Sequence, residues 1–183
     1  SDMTKYDIQI FAEIVDASTV TVDAILKRAE DYVRKGANVI DLGCLPDTPF
    51  PRLEEAVRAL KEKDYEVSVD SADADELLRG GKAGADFLLS LNEDTLHIAD
   101  KVKSTPVLIP KEHGDLPSLY RAMDSLDKKG RAYLADPVLD PINFGFMESL
   151  ERYAQVRRDR PKAEMLLGTG NLTELTDADT TGT

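Results

Sequence analysis

A short strand motif that ends in a polar residue recurs along the chain and restricts the folds it can adopt. Its clearest copy is EVSVDS, residues 66–71, where alternating valines lead to the carboxylate of Asp70 and a helical pattern follows at once. In (β/α) barrels the carboxyl ends of the strands carry the chemistry. Comparable β-rich segments of this chain end at Gly43, Asn92, Lys111, Asp136 and Asn171. We therefore predict that the functional residues lie at one end of a parallel sheet.

Hydrophobic periodicity predicts seven strands that alternate with six helices. The strands are residues 7–15, 38–42, 66–71, 86–91, 106–109, 131–135 and 164–167. The first helix follows a cap at Thr21 and is closed by Gly36, and the later helices are residues 52–63, 73–82, 95–102, 116–129 and 148–158. Strand–helix alternation of this kind implies right-handed crossovers and a parallel sheet.

A barrel explains this pattern better than an open doubly wound sheet. The open fold normally carries a glycine-rich phosphate turn after its first strand, and the turn Asp16–Ala17–Ser18 has no glycine. A complete barrel needs about 250 residues and an eighth strand. We therefore predict one α/β domain over residues 1–183, a TIM (β/α)8-type barrel truncated after strand seven and incomplete at its C-terminal end.

The charge balance argues against several partners. The chain has 35 acidic against 23 basic residues, a formal net charge of -12, so a phosphate backbone or an anionic membrane surface would repel it. The single cysteine, Cys44, cannot form an internal disulfide. No apolar run approaches the roughly 20 residues that span a bilayer. We expect a cytoplasmic protein that binds neither nucleic acid nor membrane.

The strand-end motifs resemble those of the pterin-binding barrels. The motifs are GANVIDLG, EVSVDS, FLLSLN and YLADP with a trailing FGF, and they follow one another over nearly the whole chain. They are similar to dihydropteroate synthase and to the corrinoid-dependent methyltetrahydrofolate methyltransferases, and most similar to archaeal dihydropteroate synthase-like proteins associated with methanopterin. The resemblance implies a role in folate or tetrahydromethanopterin biosynthesis, with a reduced pterin as substrate or ligand.

The resemblance assigns Asp70, Asn92 and Asp136 to the pterin pocket. A pterin presents an amino group, ring N–H donors and acceptor nitrogens along one edge. Carboxylates accept from such donors, and an amide both donates and accepts. Hydrogen bonds to a charged acceptor are roughly twice as strong as neutral ones. In a synthase, Asp70 and Asp136 would support the ring while an arylamine displaces diphosphate, with Mg²⁺ as a candidate companion of the diphosphate.

Two positions depart from the synthase pattern. Synthases carry an asparagine on the first strand that helps to hold the diphosphate, and the aligned residue here is Ala12, beside Glu13. After the seventh strand synthases have Ser-Arg-Lys, whereas this chain has Thr169–Gly170–Asn171. Methyltransferases have an asparagine there, near the reacting end of the pterin. Methyl transfer from a methylated pterin to a corrinoid protein, and a non-catalytic pterin-binding module, therefore remain alternatives, and Asn171 is a catalytic candidate in either enzyme.

Other polar residues are weaker candidates. Asp16 lies where the family has a mobile first loop, and Lys111 follows strand five, where a cation could bind an anionic substrate tail; both are included as pterin-site candidates. Asp41 lies one residue before the end of its strand, so a structural hydrogen bond and a ligand contact are both open. His97 is expected on the surface.

Two further expectations concern reactive groups and assembly. Cys44 has no histidine nearby in sequence and is not expected to be a nucleophile. No His/Cys cluster supports a metal site, so no residue is named as a metal ligand. A homodimer is a candidate assembly, and a corrinoid protein is a partner only if the chain is a methyltransferase.

Overall fold

The strands form one parallel sheet in chain order. The computed structural model describes residues 9–138 and 146–166. Within this part of the chain the strands are β1 (Phe11–Ile14), β2 (Val39–Gly43), β3 (Glu66–Asp70), β4 (Phe87–Leu91), β5 (Thr105–Leu108) and β6 (Leu134–Ala135). Their order in the sheet is β1-β2-β3-β4-β5-β6. A doubly wound sheet reverses its strand order at a switch point, and this one does not. The topology is that of a (β/α) barrel, as predicted.

Two strands are shorter than the sequence predicts by more than one residue. Residue 10 lies before β1 and is held by its amide, which donates to Asn38 Oδ1 at 2.8 Å, and Val15 is in a turn. The prediction of a strand over 131–135 is wrong for its first three residues. The amide of Arg131 donates to the Leu126 carbonyl, and Gly130 has a φ of 65°. This pattern ends a helix, so the Arg131 backbone caps the preceding helix rather than joining the sheet.

The predicted seventh strand is represented by a single contact. Met165 forms an isolated parallel bridge with Ala135 of β6. Its flanking bonds are Ala135 N–H to the Glu164 carbonyl and Leu166 N–H to the Ala135 carbonyl, each 2.8 Å. Residue 167, the last of that predicted strand, lies outside the described residues.

Five α-helices connect the strands in the described part of the chain. They are α1 (Val22–Arg34), α2 (Leu53–Glu62), α3 (Ala74–Lys82), α4 (Leu116–Lys128) and α5 (Phe146–Asp159). The side chains of Thr21, Asp73 and Asp115 cap α1, α3 and α4 by accepting backbone N–H groups. The fourth predicted helix, 95–102, is instead the 3₁₀ helix Leu96–Lys101. A further 3₁₀ turn, Ala17–Thr19, follows β1.

The chain divides into two compact units. The first comprises Ser1–Leu89 with Asp100–Ser104, and the second comprises Ser90–Ala99 with Thr105–Thr183. In the first unit, α1 packs against β1 and α2, and α2 packs against β3. Both helices contribute buried aliphatic residues, such as Ile25, Ala29 and Leu60. In the second unit the buried face of α4 includes Leu119, Met123 and Leu126. Each unit therefore has an apolar core of its own.

Two glycines that weaken α3 as an isolated helix allow it to pack closely. A Cβ on Gly80 would lie 2.6 Å from Val69 Cγ2, and a Cβ on Gly81 would lie 2.7 Å from Val102 Cγ1. Real Cβ atoms do not approach other carbons so closely, so with alanine at residue 80 the helix could not lie this close to β3, and with alanine at residue 81 it could not lie this close to Val102. Gly80 therefore allows the contact with the strand that ends at Asp70, and Gly81 allows the contact with the segment that follows the 3₁₀ helix.

Among the described residues, no helix combines the length and the apolar character that a bilayer crossing requires.

Candidate functional site

Polar residues stand at the carboxyl ends of three strands, as the sequence predicts. Asp70 is the last residue of β3, and Asn92 and Asp136 directly follow β4 and β6. Asp70 belongs to the first compact unit, whereas Asn92 and Asp136 belong to the second. The surroundings of each residue determine what it can do.

Asp70 belongs to a group of three carboxylates that we call the acidic cluster, Glu13, Asp41 and Asp70. One carboxylate oxygen from each lies within 4.8 Å of the others. The parallel register places Glu13 beside Asp41 and Gly43 beside Asp70. Alternate residues of a strand share a face, so Asp41 and Gly43 lie on the same side of β2. Three neighbouring strands thus bring three acids to one place.

Gly43 makes room for the acidic cluster. A Cβ at this position would lie 2.8 Å from Glu13 Oε1 and 2.9 Å from the Ile14 carbonyl oxygen. Because glycine has no Cβ, the Glu13 carboxylate can lie against the backbone of β2. The glycine that ends the NVIDLG motif therefore shapes the site.

Burial and like charge act together on Asp41. Its side chain is 3% exposed, and its Oδ1 accepts a 2.6 Å hydrogen bond from the Ser68 hydroxyl. Burial raises the pKa of Asp41 well above its usual range, and the Asp70 and Glu13 charges raise it further, while the Ser68 hydrogen bond lowers it. Neighbouring carboxylates cannot all be ionised without a strong penalty. Protonation of Asp41, or association of the acidic cluster with a cation, would relieve this penalty.

The oxygen atoms of the acidic cluster are of the kind that Mg²⁺ and Ca²⁺ use. The sequence has no His/Cys cluster and therefore predicted no metal ligand. For Asp41 it left a structural hydrogen bond and a ligand contact open, and Glu13 was noted only as the residue beside Ala12. Asp41 and Gly43 lie on the same face of β2, and their strand neighbours are Glu13 and Asp70. This arrangement could have predicted the cluster, but only if the register between the strands were known.

Asp136 is held by two hydrogen bonds to one of its oxygens. Oδ1 accepts from the Tyr153 hydroxyl at 2.7 Å and from the Val138 amide at 2.9 Å. Tyr153 comes from α5, 17 residues later in the chain. Burial raises the pKa of the Asp136 carboxyl, and these two hydrogen bonds act in the opposite direction. A half-buried carboxylate with one fixed oxygen is a suitable acceptor for a ligand N–H.

Asn92 and Lys111 are tied to the loop after β4. Asn92 Oδ1 accepts from the Asp94 amide at 2.9 Å, so the side-chain oxygen stabilises a tight turn. Lys111 is exposed, and its Nζ lies 3.0 Å from Asp94 Oδ2, which raises the pKa of the lysine. Both residues therefore contact Asp94. Lys111 forms a surface ion pair, and pairs of this type contribute little stability.

The remaining candidate residues from the sequence are Asp16, Cys44, His97 and Asn171. Asp16 accepts a 2.5 Å hydrogen bond from Arg28 of α1, and this contact lowers the pKa of Asp16. Cys44 is half-buried, and burial, followed by nearby carboxylates, raises the pKa of its thiol to about 12. Such a thiol is not a nucleophile at neutral pH. His97 is exposed, as predicted. Asn171 lies outside the described residues.

Comparison with known proteins begins from the sequence. No protein-family model matches the chain. An uncharacterized protein of Methanocaldococcus jannaschii is 28% identical over an alignment of 198 residues, gaps included, which covers 97% of this chain. The chain spans only 38% of the length of that relative.

The solved structures similar to this chain include several dihydropteroate synthases. The enzyme from Vibrio fischeri superposes with a TM-score of 0.66 and 20% identity, covering 92% of this chain and 76% of the enzyme. The Yersinia pestis enzyme with a pterin–sulfa conjugate gives 0.68 and 19%, covering 92% and 75%. The Xanthomonas albilineans enzyme with 7,8-dihydropteroate gives 0.66 and 19%, covering 92% and 76%. The chain therefore has a dihydropteroate synthase-like fold.

Proposed function

We propose that this chain is a pterin-binding barrel of the dihydropteroate synthase type that acts in the biosynthesis of a folate or tetrahydromethanopterin coenzyme. The observation that carries the proposal is the fold, which matches dihydropteroate synthases over 92% of the chain while polar residues stand at the ends of β3, β4 and β6. The sequence relative from Methanocaldococcus jannaschii supports an archaeal type of this family.

The proposed ligand matches the chemistry of the strand ends. Asp136 is a half-buried carboxylate with Oδ1 fixed by two donors, and it can accept an N–H from the pterin edge. Asp70 offers a second carboxylate, and Asn92 offers an amide that both donates and accepts. In the synthase reaction, carboxylate and amide groups of this kind would hold the ring while an arylamine attacks the exocyclic methylene carbon and diphosphate leaves. Asn171 would act near that carbon.

The acidic cluster bears on the choice between the synthase and its alternatives. Glu13 adds a negative charge next to Ala12, where synthases have an asparagine that helps to hold diphosphate. Since like charges repel, a diphosphate at that position would need Mg²⁺. Methyl transfer to a corrinoid protein needs no diphosphate, and Asn171 also favours it. Three assays distinguish these alternatives. Arylamine-dependent release of diphosphate in the presence of Mg²⁺ would support the synthase, and methylation of a corrinoid protein would support the methyltransferase. Pterin binding without either reaction would support a pterin-binding module.

Calorimetric titration with a reduced pterin tests the proposal. Replacing Asp136 by alanine removes a charged acceptor, so we expect binding to weaken by about 10- to 150-fold, the equivalent of the roughly 1.5–3 kcal/mol lost with a hydrogen bond to a charged group. Asp124→Ala is the matched control, because Asp124 is an exposed carboxylate on α4 that pairs with Arg160. Equal affinity of wild type and a folded Asp136→Ala variant would refute the assignment of Asp136.

A further inference from the structure

Helix α5 contacts the end of β6 through two consecutive residues. The Tyr153 hydroxyl lies 2.7 Å from Asp136 Oδ1 and 2.9 Å from the Leu166 carbonyl oxygen. Arg152 Nη2 donates to the Val138 carbonyl at 3.0 Å. The helix thereby fixes the carboxylate of Asp136 and the backbone two residues after it.

The backbone at Val138 is strained. Its φ is 70°, a left-handed conformation that a β-branched residue rarely adopts. Such a conformation is unfavourable and persists only where the surroundings enforce it. Here the Val138 amide donates to Asp136 at 2.9 Å, and its carbonyl accepts from Arg152. These two contacts hold the strained conformation, in which the Val138 N–H is directed at Asp136 Oδ1.

Resting on the proposed function, we propose that Tyr153 is a positioning residue for the pterin site: with the Val138 amide it fixes Asp136 through Oδ1 and so leaves Oδ2 to accept from the ligand. Within the described residues, the hydrogen bonds that Asp136 accepts both fall on Oδ1. Tyr153 itself is 9% exposed, so it acts from inside the protein rather than as a ligand contact.

The electrostatics around Asp136 support this role. Burial raises the pKa of Asp136, whereas the Tyr153 hydroxyl and the Val138 amide lower it. Among the described residues, Tyr153 and Val138 are the groups whose hydrogen bonds shift the pKa of Asp136. Arg152, the charged neighbour on α5, donates to the Val138 carbonyl. Removing the Tyr153 hydroxyl should therefore raise the pKa of Asp136, because it removes a donor that favours the ionised form. The ionised fraction available for binding then falls at acidic pH.

The test uses Tyr153→Phe, which removes one hydroxyl and keeps the ring. Tyr120→Phe is the matched control, because the Tyr120 hydroxyl also donates to a carboxylate, Asp159 Oδ2 at 2.6 Å, at a site that does not include Asp136. Reduced-pterin affinity is measured by fluorescence across a pH series, and the Asp136 carboxyl is titrated by carbon NMR in the free proteins. Denaturant unfolding of each variant monitors folding.

We expect Tyr153→Phe to bind the pterin roughly two- to tenfold more weakly near neutral pH, because the Asp136 side chain, no longer held by the hydroxyl, must be ordered on binding. We also expect the acidic limb of its affinity profile and the NMR titration of Asp136 to move to higher pH. Tyr120→Phe should match wild type in both. If wild type binds the pterin but folded Tyr153→Phe has the same affinity and the same Asp136 titration, the inference about Tyr153 is overturned and the proposed function stands. If wild type binds no pterin, both are overturned.

Discussion

The close approach of α3 to β3 can be tested by adding a single methyl group. Replacing Gly80 by alanine should raise helix stability by about 1 kcal/mol from propensity alone. The new Cβ would lie 2.6 Å from Val69 Cγ2 and 3.1 Å from Val69 Cβ, so a clash opposes that gain. Overpacking of a core costs typically about 1–3 kcal/mol. Taking about 2 kcal/mol for the clash and about 1 kcal/mol for propensity, we expect a net loss of about 1 kcal/mol.

The partner substitution should rescue this loss. Val69→Ala removes two fully buried methyl groups, which at about 0.8 kcal/mol each, plus a small cavity, costs about 2 kcal/mol. In the double variant the 2.6 Å contact is removed, the 3.1 Å contact with the retained Val69 Cβ needs only a small shift, and the helix gain remains. The total loss should therefore approach about 1 rather than about 3 kcal/mol, a coupling of up to about 2 kcal/mol.

Urea unfolding followed by circular dichroism gives the four free energies of unfolding. Gly81→Ala serves as the control, because its Cβ would meet Val102, and Val69→Ala should not rescue it. If Gly80→Ala is more stable than wild type, or if the two substitutions add within about 0.5 kcal/mol, the close packing at Val69 is refuted.

Two further predictions concern the acidic cluster. The folded-state pKa of Asp41 lies above its unfolded value of about 3.9, so the stability from this residue is complete below that pH and is lost as pH rises through the folded pKa. Asp41→Asn should therefore gain stability relative to wild type as pH increases above about 4, as measured by urea unfolding in EDTA; parallel curves would contradict this. Gly43→Ala should lose about 1–3 kcal/mol, since its Cβ would lie 2.8 Å from Glu13 Oε1. Glu13→Ala should relieve part of that loss, and a fully stable Gly43→Ala in thermal unfolding would argue against the close contact.

Local periodicity in the sequence determined most of the elements and the positions of the polar strand ends. The EVSVDS segment predicts a strand ending at Asp70, and the strand is Glu66–Asp70. Thr21 predicts a helix start, and its side chain accepts from the Ala24 amide. These features depend on residues close together in the chain, so short windows of sequence contain the information.

Predictions from local sequence were wrong where a backbone N–H group had two possible hydrogen-bond acceptors. Residues 131–133 have the composition of a strand, but the Arg131 amide is used to end α4. The Thr95 region has an apolar pattern, but it forms a 3₁₀ helix that begins at Leu96. Hydrophobic periodicity does not show which acceptor a backbone N–H group will bond to.

The site itself was decided by tertiary structure. Glu13, Asp41 and Asp70 are about 28 residues apart from one to the next, and only the parallel register of three strands brings their oxygens within 4.8 Å. Tyr153 reaches Asp136 from a helix that follows it by 17 residues. The sequence predicts that an acid, Asp70 or Asp136, stands at the end of a strand, because that is a local property. Which neighbours surround that acid, and therefore its charge and orientation, depends on contacts between distant segments that no local pattern contains.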